Sequence, residues 1–83
     1  MNVQEAIKTV IAKYPDRVVE EAYENNGLYL MVAPHKESKG PDFSDPFFLL
    51  NSANGKCTPF IPSESFELYS NMMNPKHKVY SKD

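Results

Sequence analysis

Nucleophilic chemistry in this chain would have to start from Cys57, the single thiol, and from one of two imidazoles, His35 and His77. A nucleophile works when a base lies beside it and a third group orients that base. Folding could bring Cys57 to either histidine. However, Cys57 sits in an alternating stretch, Lys56 to Phe60, that reads as a strand. A free cysteine in a strand most often behaves as a small buried hydrophobe. The Gly-x-Ser-x-Gly elbow of serine hydrolases is absent. Three glycines in all cannot build a phosphate-cradling loop. No catalytic residue is nominated, and a non-enzymatic protein is expected.

Metal chemistry would centre on His35, Asp42 and Asp45, which share the stretch 34–46. Their spacing matches no helical zinc pair and lacks the ligand alternation of a calcium loop. A solvated polar loop with turn-forming aspartates before Pro46 is the expectation, with no metal and no cofactor. The alternative is a protein that folds this loop over a metal or small ligand. The acidic pairs Glu20-Glu21 and Glu64/Glu67 read as a solvated strand face and a helix N-terminus.

Charge and hydropathy narrow the partners. The net charge is −2 and the positive residues are scattered, apart from Lys76, His77, Lys78 and Lys82. Nucleic-acid binding rests on a clustered basic patch, so it is not expected. The longest apolar run, Leu28 to Pro34, falls far short of the roughly 20 residues that cross a bilayer. The opening Met-Asn-Val-Gln-Glu has no basic and apolar signal pattern. With one thiol and no disulfide partner for it, the cytoplasm is the expected compartment.

The elements that would position these groups follow from periodicity. Val3, Ile7, Val10, Ile11 and Tyr14 recur at helical steps, predicting a helix over 2–13 with Asn2 as N-cap and Pro15 as stop. Arg17–Glu24 and Leu28–Ala33 read as strands. Asn25-Asn26-Gly27 joins them in a type I′ hairpin turn. The second strand is almost wholly apolar, as in a strand covered on both faces or packed under a helix. Phe47–Leu50 and Lys56–Phe60 form a second hairpin around Ser52–Gly55, with Pro59 either placing the last strand at an edge or ending it early. A short helix over 63–73 is predicted, with Ser63 as N-cap and Phe66, Tyr69, Met72 and Met73 on one face. The expected fold is α+β: an N-terminal helix on a small antiparallel sheet of two hairpins, then a short C-terminal helix. Residues 1–75 would form one domain, and 76–83 a flexible tail.

Five Phe and five Tyr are more than a two-layer core of 83 residues readily encloses. Part of this surplus can form a mini-core under the loop and second helix. The rest would be a protein-binding patch, since aromatic and methionine side chains are enriched at interfaces. The candidate contacts are Phe43, Phe60, Tyr69 and Met73, with Asp42 and Asp45 as polar rim. The partner would be another protein, or a second copy pairing along the Lys56–Phe60 edge into a homodimer.

The stretch from Asp45 to Lys56, followed by Thr58-Pro59-Phe60-Ile61-Pro62-Ser63 and a helix, resembles a hairpin of small uncharacterised Gram-positive bacterial and prophage proteins. Similar hairpins occur in PepSY-like modules and small toxin-immunity proteins. The resemblance offers no catalytic residues to carry over. It implies a non-enzymatic protein of phage or prophage origin that acts by binding, which is an analogy of fold and not of site.

Overall fold

A computed structural model describes residues 2–36 and 46–82. Helix α1 spans Val3–Lys13. Asn2 caps it, its Oδ1 accepting from the Glu5 N–H at 2.9 Å. At the other end the Tyr14 N–H closes on the Val10 carbonyl at 2.8 Å. Pro15 disfavours helical geometry for Tyr14, which takes φ −129° and ψ 75° and ends the helix. Ala6 and Val10 are fully buried, with Val3, Ile7, Ile11 and Tyr14 packed around them.

Five strands follow: β1 Glu21–Asn25, β2 Leu28–Val32, β3 Phe47–Asn51, β4 Lys56–Pro59 and β5 Lys78–Ser81. They form one antiparallel sheet in the order β4-β3-β2-β1-β5. Helix α2, Phe66–Met72, lies between β4 and β5 in the chain. The α+β expectation therefore holds. The β1–β2 turn has φ of 53° at Asn26 and 79° at Gly27, the two positive values a type I′ turn requires. Gly27 also ties the hairpins together, because its carbonyl accepts from both the N–H and the Oγ of Ser52, at 2.9 and 2.6 Å.

Successive residues of the inner strands point to opposite faces, and both faces are covered. Ala22, Tyr29, Met31, Phe48, Leu50 and Cys57 join α1 on the first face. Tyr23 and Leu30 meet Met72 and Phe60 on the second, with Leu28, Val32, Phe47, Leu49, Leu68, Tyr69 and Met73 packed against them. This explains why β2 reads as a continuous apolar run. It also replaces the expected two layers with three: α1, sheet and α2.

Three boundaries differ from expectation. Arg17–Glu20 is extended but irregular: Arg17 bridges His35, and Glu20 donates to Val32, before regular pairing starts at Glu21. The second helix starts at Phe66, not 63. Pro62–Glu64 forms a separate 3-10 turn, and Ser65, whose Oγ accepts from the Leu68 N–H at 3.3 Å, is the cap. Residues Lys78–Ser81, expected within a flexible tail, instead form β5 beside β1. A second 3-10 turn, Pro75–His77, delivers the chain to that strand.

Candidate functional site

The structure disperses the candidate chemical groups. Cys57 is 2% exposed on the α1 side of β4, and burial raises its thiol above the ordinary value while Lys13 opposes the shift. His35 lies beyond the end of β2 in a backbone bridge with Arg17, its Nδ1 3.0 Å from Asp16 Oδ2 in a largely exposed pair. Among the described residues no group of three or more His, Cys, Asp or Glu side chains could hold a metal. Arg17 is engaged as well. Its Nη1 donates to the Ala33 carbonyl at 3.1 Å and its guanidinium lies 5.1 Å from the centre of the Phe48 ring.

Of the proposed contact residues, Phe43, Asp42 and Asp45 lie outside the described residues. Phe60 does not offer a contact surface. It is only 4% exposed, because its position after β4 turns the ring beneath α2 beside Leu30 and Met72. Tyr69 and Met73 are half-buried in the same cluster, and the Tyr69 ring stands edge-on to Phe47 at 5.4 Å. All three belong to the core cluster on the α2 face of the sheet. The large apolar side chains exposed among the described residues are Ile61, Phe66 and Val79, at 42%, 68% and 43%.

With both faces covered, the two sheet edges become the informative surfaces. An edge strand presents N–H and C=O groups from alternate residues to the outside. On β4 the Phe60 N–H donates to the Phe47 carbonyl at 2.9 Å. By alternation Lys56 and Thr58 also face β3, while Cys57 and Pro59 face outward. Pro59 has no N–H to offer. The outward Cys57 carbonyl already accepts from Lys13 Nζ at 2.6 Å, so α1 reaches over the strand and occupies it. The edge expected to pair with a second copy is therefore closed by a proline and a lysine.

The β5 edge is built differently. The Lys82 N–H donates to the Glu20 carbonyl at 2.8 Å. Lys82 and Tyr80 thus face β1, and Ser81 directs its backbone outward. Between Tyr80 and Lys78 the register shifts by one residue, leaving Val79 as a bulge opposite the Ala22–Tyr23 step. Glu21 secures the strand from below, with its Oε2 2.6 Å from Lys78 Nζ and its Oε1 3.4 Å from the Tyr23 hydroxyl. That hydrogen-bonded pairing raises the Lys78 ammonium above its ordinary value. Burial, reinforced by Glu21, raises the Tyr23 hydroxyl. Tyr80 packs against the first core, which fixes β5 to the sheet on that face.

Sequence reasoning missed Val79 and Ser81. The available signal was the alternation of Lys78, Val79, Tyr80 and Ser81 directly after a proline turn. Comparison with known proteins yields no matching family model, no matching curated protein and no matching solved structure.

Proposed function

We propose that this chain is a non-enzymatic binding module that takes an extended segment of a protein partner along the outer side of β5. One observation carries the proposal: the two edges of a sheet covered on both faces are unequal. The β4 edge is closed by Pro59 and Lys13, while β5 ends the strand order with the Ser81 backbone outward and Val79 exposed. Strand addition uses such main-chain groups for affinity and alternate side chains for specificity. A reducing, cytoplasmic setting belongs to the proposal and is supported by the single free, buried thiol.

Photo-crosslinking from position 79 in cells expressing the chain tests this. Crosslinks to a distinct protein are expected, and they should disappear in Ser81→Pro. That variant removes an outward donor without touching the β1 ladder, so its melting temperature should stay close to wild type. Crosslinks that persist in Ser81→Pro, or that join only copies of the chain, would refute the proposal.

A further inference from the structure

The partner's chemistry can be read from what surrounds that edge, an inference that rests on the strand-addition proposal. We infer that the segment added to β5 is acidic, with an apolar residue near its centre. Three of the chain's nine basic residues, Lys76, Lys78 and Lys82, lie within 75–82, with Asp83 next in sequence and with Glu20 and Glu21 beside Ser81 and Lys82 on the neighbouring segment. Lys76, Lys78 and Lys82 are exposed. Lys78 and Lys82 bracket the strand across about 13 Å at the usual strand rise. Val79 stands between them, 43% exposed.

A second copy fits this surface poorly. Antiparallel self-pairing about Tyr80 would set Lys82 of each copy against Lys78 of the other, where it gains no free carboxylate because Glu21 is already paired with Lys78. An acidic strand turns the same lysines into attractive rim contacts, which steer encounter and set specificity. Glu21 already neutralises Lys78 within the molecule, so Lys76 and Lys82 carry the charge available to a partner.

The test is a titration of the isotope-labelled full chain with three synthetic peptides that share alternating valines. Their intervening residues are all Glu, all Thr or all Lys. The Glu peptide should shift the Val79 and Ser81 amides and bind at least tenfold more tightly than the Lys peptide. That advantage should shrink several-fold between 50 and 500 mM salt, roughly as screening shortens the Debye length. The double variant Lys76→Glu with Lys82→Glu should reverse the order of the peptides while keeping the wild-type melting temperature. Equal affinity of all three peptides at these amides overturns the acidic partner but leaves strand addition standing. No shift with any peptide overturns both. A rise in solution mass with concentration, with shifts at Ser81, assigns the edge to a second copy and overturns the inference.

Discussion

Two phenylalanines six positions apart should respond oppositely to truncation, and the contrast tests the second half of the core. Phe60 is 4% exposed between Leu30 and Met72, whereas Phe66, the first residue of α2, is 68% exposed. Removing a buried phenylalanine ring loses its transfer free energy and leaves a cavity, together about 3–5 kcal/mol. A domain of this length has roughly 4–12 kcal/mol of stability in total. Phe60→Ala therefore removes a large share of it, and Phe60→Leu, which keeps most of the volume, should cost about 1–1.5 kcal/mol. Phe66 keeps only about a third of its surface from water. One third of the roughly 1.5–3 kcal/mol for full burial is about 0.5–1 kcal/mol. Alanine's better helix propensity returns about half a kcal/mol of that. Phe66→Ala should thus lie within about 0.5 kcal/mol of wild type. Urea unfolding followed by far-UV circular dichroism measures all three variants on one scale. If Phe66→Ala costs as much as Phe60→Leu, or if Phe60→Ala costs less than about 1 kcal/mol, the placement of α2 over the second face is wrong.

Three further outcomes follow from particular contacts. Gly27→Ala should cost more than Gly55→Ala: both sit at positive φ, 79° and 70°, but a Cβ at 27 would meet Ser52 Oγ at 3.1 Å while one at 55 meets open space. The shared left-handed strain is about 1–2 kcal/mol, so thermal melts should resolve the excess at position 27. Lys13→Met should leave the Cys57 carbonyl without its 2.6 Å donor, costing about 0.5–1.5 kcal/mol because water reaches the opened edge; it should also promote association through β4, seen as rising light scattering with concentration. Stability should fall at alkaline pH. Burial raises Cys57, Tyr14, Tyr23 and Tyr29 above their ordinary values, so the unfolded chain gives up these protons first. Their contribution is complete below the ordinary thiol value of 9.0 and is lost as pH climbs through the raised values. Lys78, raised chiefly by its bond to Glu21, acts in the same direction. A urea midpoint that is flat from pH 8 to 11 would contradict the burial of these groups.

Elements whose signals are local were legible in the sequence. Asn2 and Pro15 frame α1, Asn26-Gly27 sets the first hairpin and Pro59 marks an edge strand, each through backbone chemistry within a few residues. What could not be read depends on tertiary pairing. Strand β5 is four residues with two lysines nearby, and it becomes a strand because Ala22 and Tyr23 supply its ladder and Tyr80 finds the first core. Ser63 and Ser65 are equally good caps by residue type. Pro62 decides between them by favouring a tight 3-10 turn first, which hands the cap to Ser65. The aromatic surplus misled for a related reason. A two-layer core has no place for Phe60, Tyr69 and Met73, but α2 adds a third layer and encloses or half-encloses all three.

That third layer also determines where binding can occur. In a two-layer α+β domain the bare sheet face is the natural docking surface. Here α1 and α2 cover both faces, with Met72 at 1% exposure and Val10 at 0% showing how closely each helix packs on its side. An incoming chain must then use an edge, and the choice of edge follows from which strand the molecule has sealed. Closing β4 takes Lys13 from α1 and a proline in the strand. On β5 the one lysine of the strand, Lys78, is held by Glu21 of its own molecule, and alternation directs the backbone of Ser81 outward. If Lys13→Met and Pro59→Thr together open β4 to the same Glu peptide that binds β5, sealing by these two residues is what directs the partner. If that double variant still binds only at β5, the lysine flank selects the edge by itself.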